Sequence, residues 1–364
     1  MLVICALGAK INLSAGRMEI TQLEFADLMG FDGGEDGFVE VTVIRNKNEN
    51  TEDDNGEEQS GGVISARAKT VNSAVREINN SIENHIPVGH ISHFLLGENL
   101  TERPLLKYAD YIIRNPEIRL SSNLFFIKGG SAKDLLNAAA KEDYRLNDKL
   151  LTFKKSPALN SATFSLPLTE FLKQFSADNA DFVIPAIDAE NFTLPGYAVV
   201  TGGKVTGFLE GDAAAGYNLV KGFTAAGIID VEYPAGNIIS LELADFSSRF
   251  KFEFDGEKLT KIIIKCSASA NIKEAQMFGD IDNPNMLKAL ENLLSGQIRR
   301  KILSAVTASK QQKSDFLNLG GEIKFWHPYK WRGISEDWLD IFENVPVEVE
   351  INSKIARAFY ITKY

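Results

Sequence analysis

The chain has 364 residues, of which 44% are hydrophobic and 24% are charged, and its formal net charge is −10. This size and composition are typical of a folded globular protein with two or three domains and a core that needs no disulfides. The acidic balance and the lack of a basic stripe disfavour nucleic acid as a partner, because affinity for nucleic acid comes mainly from neutralised phosphates.

The N-terminal residues 1–15 allow two interpretations. The apolar run Met1–Ala9 is shorter than the roughly 18 to 20 residues of a membrane-spanning helix, and no basic residue precedes it. It is either the remnant of a signal peptide or a first strand. The two cysteines, Cys5 and Cys266, form no C-x-x-C pair, so neither a zinc site nor a redox site is indicated. Cys266 ends an apolar run and is expected to be a buried free thiol.

Residues 16–192 form the predicted N-terminal domain. Apolar residues in every second position predict a strand over Phe38–Arg45, and the acidic stretch 49–62 predicts a solvated loop. Thr70 is expected to cap a helix whose apolar residues follow the helical period to Ile82. The further elements predicted here are strands at 91–96 and 124–128, a helix at 102–114, a helix capped by Ser131 that ends at Ala140, and a helix at 169–175.

Residues 193–364 form the predicted C-terminal domain. It opens with a hairpin around Gly202-Gly203, a pair that suits the positive φ angles of a tight turn. A second hairpin is predicted around Asp255-Gly256, and a long helix begins at Asn283-Pro284. Two closing strands are predicted over 345–351 and 355–361. Hairpins with helices in separate runs indicate an α+β fold, with antiparallel sheets and packed helices in two main halves.

Motifs that would carry chemistry are weak throughout. His90-Ile-Ser-His93 has no third metal ligand nearby, so structural histidines are favoured over a metal site. Gly129-Gly130-Ser131 fits a plain strand-to-helix turn better than an anion site. The tryptophans at 326, 331 and 338 are interpreted as packing beneath the closing sheet, and the less favoured alternative is a sugar-binding platform. These residues predict no catalytic group, metal or cofactor.

Five stretches, in order along nearly the whole chain, carry a more specific pattern. Their distinctive positions are Thr70 and Ala74 in 65–78, His93, Gly97 and Glu98 in 93–98, Arg114, Pro116, Glu117 and Arg119 in 114–119, Gly196 and Gly207 in 196–209, and Asp315, Pro328, Trp331 and Trp338 in 315–342. In this order they resemble the signature of the Ger(x)C, or GerAC-like, family of spore germination proteins. Ala68 departs from it, because the family has glycine there.

The resemblance implies a non-enzymatic C subunit of a nutrient-germinant receptor. Such a subunit acts with two integral-membrane subunits, A and B, at the outer face of the spore inner membrane, where it is peripheral or lipid-anchored. The signature positions are expected to be structural, and the ligand-binding residues are unknown.

The expected lipidation motif is altered in this chain. Ser14 stands where the family has its lipidated cysteine. Cys5 is a poor substitute, because Ile4 precedes it where a small residue is expected and there is no room upstream for a signal peptide. A start site placed elsewhere, or attachment through the partner subunits alone, would each explain this departure.

Two other functions remain as alternatives. The first is a free-standing extracytoplasmic protein that binds a small solute. The second is a carbohydrate-active enzyme of the cortex or wall with two acidic residues as acid and base. The second is disfavoured because nothing in the sequence singles out two carboxylates.

Overall fold

The computed structural model describes residues 23–34, 37–45, 62–142, 145–155, 163–177, 180–223, 227–233, 236–275 and 283–358. The predicted signal remnant with Cys5, and the acidic stretch apart from Gly62, lie outside these ranges.

A nine-stranded mixed sheet organises the first part of the chain. Its spatial order is β3-β2-β1-β4-β5-β7-β8-β9, and β6 pairs with β5. Strands β1, β4, β5 and β7 run parallel to one another, whereas the pairs at either end of the sheet are antiparallel. The strands are β1 Ala26–Gly33, β2 Val39–Arg45, β3 Val63–Ala68, β4 His93–Leu96, β5 Asn123–Lys128, β6 Leu166–Pro167, β7 Phe182–Asp188, β8 Gly196–Thr201 and β9 Lys204–Glu210.

Five helices cover this sheet on two faces. They are α1 Val71–Asn80, α2 Leu106–Arg114, α3 Ala132–Lys141, α4 Leu146–Lys155 and α5 Leu168–Phe175. Side chains alternate across the sheet, so Phe94 and Leu96 of β4 pack with α1, α2 and α5, whereas Leu95 packs with α3 and α4. Both faces are therefore buried.

A four-stranded sheet organises the rest of the chain, in the order β10-β11-β12-β13. Its strands are β10 Ile228–Tyr233, β11 Asn237–Asp255, β12 Lys258–Ala275 and β13 Val347–Ala358. The helices are α6 Gly211–Val220, α7 Pro284–Gln311, α8 Leu319–Trp326, α9 Pro328–Ile334 and α10 Trp338–Asn344. The α+β class with two sheets is confirmed, and parallel pairs occur beside the antiparallel pairs that the hairpins predict.

The long helix α7 begins as predicted. The Asn283 side chain accepts a hydrogen bond from the Asn285 amide at 2.9 Å, and Pro284 occupies the first turn. Its apolar stripe packs in one core with β10 to β13. Helix α6 crosses α7 very closely, since a Cβ added to Gly216 would lie 1.9 Å from the Lys301 carbonyl oxygen.

The two closing strands of the prediction are a single strand. Residues 352–354 were expected to break the pairing, but they continue the parallel ladder, with Asn352, Ser353 and Lys354 opposite residues 267–269 of β12. Polar residues are tolerated there because the ladder with β12 is formed by backbone groups, whatever side chains the residues carry. The predicted end at Ile361 lies outside the described residues.

The β8–β9 hairpin links the two halves. Its turn has φ angles of 56° at Gly202 and 76° at Gly203, as the Gly-Gly pair predicts. The hairpin is hydrogen-bonded to β7 and so extends the first sheet, although it follows the boundary predicted at 192/193. Its residues Tyr197, Val199 and Leu209 face the core formed with α6, α7 and the second sheet. That domain boundary stays a prediction.

Candidate functional site

The family-signature residues fall at several separate places in the fold. Ala74 is buried in the core face of α1, and His93 is buried in the central strand β4. The His93 Nδ1 and Asn123 Nδ2 atoms lie 3.3 Å apart. His90 is turned elsewhere, with its ring 4.8 Å from that of Phe25. The two histidines therefore do not converge, and no group of metal-ligating side chains large enough to hold an ion occurs in the described part of the chain.

The backbone amides that follow the Gly129-Gly130-Ser131 turn are hydrogen-bonded to a side chain of the protein itself. The Asp32 carboxylate accepts hydrogen bonds from the amides of Ala132 at 3.0 Å and Lys133 at 2.9 Å. Ser131 adds a cap by accepting from the Asp134 amide. Burial raises the pKa of Asp32, and the two amide hydrogen bonds partly offset this. Helix α3 thus has its N-terminal donors satisfied internally.

Gly97 and Glu98 belong to the same corner of the sheet. A Cβ on Gly97 would lie 1.8 Å from Asp32 Oδ1, so any larger residue would displace the carboxylate that caps α3. The Glu98 side chain accepts a hydrogen bond from the Gly129 amide at 3.0 Å. Both signature positions therefore hold together the carboxyl ends of β1, β4 and β5.

A surface cavity of about 570 Å³ joins three signature residues from two distant stretches. Thr70 lies at the start of α1, and Arg114 and Pro116 lie at the end of α2. Lys69 and Lys107 also line it, so three bases face a single acid, Asp110. Arg114 Nε donates to Asp110 Oδ1 at 2.7 Å.

The signature residues that follow Pro116 shape the turn between α2 and β5. The Glu117 amide donates to Asn115 Oδ1 at 3.1 Å, and the Arg119 carbonyl accepts from the Ser122 amide at 2.9 Å. A Cβ on Gly89 would lie 2.9 Å from the Glu117 carbonyl oxygen. Glu117 and Arg119 therefore contribute through their backbone groups, which fix this tight turn.

The two signature glycines of the hairpin sit at close backbone approaches. A Cβ on Gly196 would lie 2.0 Å from the Leu209 carbonyl oxygen, and one on Gly207 would lie 2.6 Å from the Gln312 side chain. Gln312 also donates to the Phe208 carbonyl at 3.3 Å. Gly196 therefore allows the two strands of the hairpin to pair closely, and Gly207 allows the end of α7 to approach the hairpin.

Asp315 is the centre of a buried polar junction after α7. Its carboxylate accepts from the Leu319 amide at 2.8 Å, the Gly320 amide at 2.7 Å and Trp338 Nε1 at 2.9 Å. Burial raises the pKa of Asp315 to about 6 despite these hydrogen bonds. Asp181, which the sequence did not single out, accepts from the Asp315 amide at 2.9 Å.

The three tryptophans behave differently from one another. Trp338 is buried, and the Trp331 ring lies 5.6 Å from it, so packing of this pair is confirmed. Trp326 is exposed, because it ends α8 on the surface, and the prediction of packing is wrong for this residue. Pro328 is the first residue of α9 and is exposed beside it.

Several residues important to the fold escaped prediction from sequence. Asp32 and Asp181 are ordinary acids in the sequence, and their role depends on amides about 100 or more positions away.

Cys266 is buried and free, as predicted, and burial raises the pKa of its thiol to about 12. None of the described helices has the length and apolar character needed to span a bilayer.

Two family models match almost the whole chain. The first, described as the spore germination protein N-terminal domain, matches residues 16–189. The second, described as spore germination B3/GerAC like, C-terminal, matches residues 195–358. Neither description denotes an enzyme.

Curated relatives and a solved structure agree with the family models. Spore germination protein GerQC of Bacillus cereus is 18% identical over 83% of this chain and 84% of its own length. Spore germination protein KC of Bacillus subtilis (strain 168) is 19% identical over 83% of this chain and 80% of its own. The crystal structure of the GerBC protein superposes with a TM-score of 0.60, covering 90% of this chain and 97% of that one at 18% identity.

The order of the five signature stretches, the two matched domain models and the shared fold converge on one assignment. The chain belongs to the GerAC-like family of spore germination proteins, whose members resemble the C subunit of germinant receptors.

Proposed function

We propose that the chain is the non-enzymatic C subunit of a spore nutrient-germinant receptor and acts with two integral-membrane subunits, A and B, to trigger germination. The observation that carries this proposal is the match of both family domains, in order, over residues 16–358. The protein would reside at the outer face of the spore inner membrane, held by its partners or by a lipid anchor. That Cys5 is a poor lipidation site stays a prediction.

The arrangement of the signature residues supports a scaffolding or coupling role. Most of them hold backbone segments together rather than lining a catalytic cleft: Gly97 lies against Asp32, Gly207 against Gln312, and Asp315 binds Trp338. A rigid subunit of this kind can pass a change in one membrane partner to the other without reacting with a ligand itself.

Co-purification tests the proposed partnership. The chain would be tagged in sporulating cells, spore membranes would be extracted with mild detergent, and the recovered proteins identified. We expect two integral-membrane proteins, and we expect a deletion strain to lose its response to one class of nutrient. Recovery of the chain alone from the soluble fraction, together with normal germination of the deletion strain on every nutrient, would refute the assignment.

One observation favours a second candidate function, the binding of a small anionic solute. The cavity between α1 and α2 has about 570 Å³, within the range of small-molecule sites, and its bases outnumber its acids. A bound solute would raise Tm, because it binds only the folded state. Amino acids and dicarboxylates would be screened against the wild type and Arg114→Gln, with Lys288→Gln, at an exposed position of α7, as control. A rise lost only in Arg114→Gln supports this function.

A further inference from the structure

Three large aromatic side chains are exposed together where α8 meets α9. Phe325 is 73% exposed, Trp326 65% and Tyr329 83%. The Phe325 and Trp326 ring centroids lie 4.8 Å apart at an interplanar angle of 90°. Elsewhere in the described residues, no three exposed large hydrophobic side chains fall within five consecutive positions. A grouped apolar surface of this kind marks an interaction site more often than scattered single residues do.

Basic residues are interleaved with these rings. Residues 323–335 contain Lys324, Lys330 and Arg332 and no acid, in a chain whose net charge is −10. The Arg332 guanidinium lies 5.5 Å from the centroid of the Tyr329 ring. Lys330 is held toward the β11–β12 turn, since its ammonium donates to the Gly256 carbonyl at 2.6 Å. Lys324 and Arg332 are both exposed, so their side chains are accessible from solvent.

A groove beside Trp326 adds room and a further cation. It has about 630 Å³ and runs between α8 and β11, where Arg249 and Phe250 line it with Trp326 and Glu322. Glu322 accepts a hydrogen bond from Trp326 Nε1 at 3.2 Å. A polar group the size of a phosphate could enter this groove next to Arg249 while the rings lie in a less polar layer.

We propose that Lys324, Phe325, Trp326, Tyr329 and Arg332, which we term the aromatic–basic surface, contact the headgroup layer of an anionic lipid bilayer. Tryptophan and tyrosine concentrate at this depth because their rings are amphipathic, and bases nearby are attracted to anionic phosphates. The alternation of rings and bases on one helix junction is typical of interfacial segments. Because the proposed function places the chain at a membrane, this inference deepens that function, but it is carried by these five residues.

Vesicle binding by the purified full chain tests the inference. The chain would be sedimented with vesicles of phosphatidylcholine alone and of phosphatidylcholine mixed with phosphatidylglycerol. We expect binding to the mixed vesicles that weakens as salt rises. The triple variant Phe325→Ser, Trp326→Ser, Tyr329→Ser should lower the partition coefficient by about tenfold or more. The double variant Lys324→Gln, Arg332→Gln should lose the preference for phosphatidylglycerol.

Two controls keep the experiment specific. The variant Leu106→Ser, Ile113→Ser removes two exposed hydrophobic residues from α2 and should bind vesicles like the wild type. Brominated phosphatidylcholine should quench tryptophan fluorescence more strongly in the wild type than in Trp326→Phe, because Trp338 is buried and Trp331 is half-buried beside it. All variants should keep the wild-type Tm, since the replaced side chains are exposed.

The outcomes separate this inference from the proposed function. No vesicle binding by the wild type, or equal binding by the triple variant, would overturn the inference. If the triple variant instead loses only its co-purifying integral-membrane proteins, the surface is a protein-docking site and the inference is wrong while the proposed function stands. Vesicle binding that depends on the three rings, without co-purifying partners, would uphold the inference and count against the receptor assignment.

Discussion

Single glycines decide where helices can approach each other in this protein. Gly216 and Gly296 both lie inside helices, where alanine is intrinsically preferred over glycine. Gly216 faces the Lys301 carbonyl, whereas a Cβ on Gly296 would meet no atom within 4 Å. The same residue type therefore has opposite significance at the two positions, and only the crossing of α6 and α7 distinguishes them.

Alanine substitution at these two glycines should have effects of opposite sign. Gly216→Ala should lower the free energy of unfolding by about 3 kcal/mol or more, because the helices must separate. Gly296→Ala should raise it by about 0.5–1 kcal/mol. Urea denaturation of both variants measures this difference. Equal stability of the two variants would contradict the close crossing.

Asp315 should give the protein a distinctive dependence on pH. Its pKa is about 6 in the folded state, above the value near 3.9 expected in the unfolded chain. Between these values the folded state binds more protons, so the contribution of Asp315 to stability falls as pH rises and stays low above about 6. Relative to Asp315→Asn, the wild type should lose up to about 3 kcal/mol between pH 4 and 7.

Asp212 provides a matched control of opposite sign. Its hydrogen bond from Lys301, at 2.8 Å, lowers its pKa. The stabilising contribution of Asp212 is therefore present above the unfolded pKa and is lost as pH falls. Urea denaturation at several pH values should show the wild type losing its advantage over Asp212→Asn on acidification. If the stability difference between the wild type and each variant changed with pH in the same direction for Asp315 and Asp212, the predicted opposite signs would be refuted.

At the scale of elements, helix starts divide into local and long-range caps. Thr70 caps α1 from the adjacent position, at an exposed end of the helix. Asp32 caps α3 from β1, and its bonds to the α3 amides are buried or partly buried. Removing a partner from buried donors costs more than removing one from donors that water can reach.

Alanine substitution of the two capping residues should destabilise the protein more at the more buried cap. Thr70→Ala should cost about 1 kcal/mol of unfolding free energy, because water can replace the lost acceptor. Asp32→Ala should cost about 1–3 kcal/mol, because one buried and one partly buried amide lose their acceptor. Thermal and urea denaturation measure both costs. If Thr70→Ala lowered the free energy of unfolding more than Asp32→Ala does, the long-range cap would be unimportant for stability.

The same division explains what could be predicted from the sequence. The caps Thr70, Ser131 and Asn283 were predictable because donor and acceptor lie within a few positions. Helix α6 was missed, since its small residues give no clear helical period. The parallel order of β1, β4, β5 and β7 was also missed, because strand neighbours depend on contacts between distant segments. The signature residues were found, but the cavity that joins Thr70 to Arg114 required the packing of α1 against α2.

At the scale of the whole molecule, two of the apolar clusters cross the boundary between the matched family domains. Val183 and Tyr197 of the first sheet pack in the same cluster as Leu290 of α7 and Ile264 of the second sheet. The Asp181 carboxylate also ties the Gly202 amide to the loop after α7. The β8–β9 hairpin also places Ala198, Val200 and Val205 in the core of the first sheet, so it contributes to the cores on both sides of the boundary.

We therefore expect a single unfolding transition. All three tryptophans lie after residue 325, so tryptophan fluorescence follows the C-terminal half, whereas circular dichroism at 222 nm follows helices of both halves. The two signals should give the same Tm for the full chain. A fluorescence transition several degrees apart from the dichroism transition would show that the halves unfold independently.

The β8–β9 hairpin also bears on how such genes can recombine. The segment is hydrogen-bonded to β7 on one side and packs by Tyr197, Val199 and Leu209 against α6 and α7 on the other. A crossover between two relatives at the junction of the matched domains, between residues 189 and 195, would pair a β7 from one parent with a hairpin from the other. Functional chimeras should be found only when the hairpin and both of its neighbours descend from compatible parents.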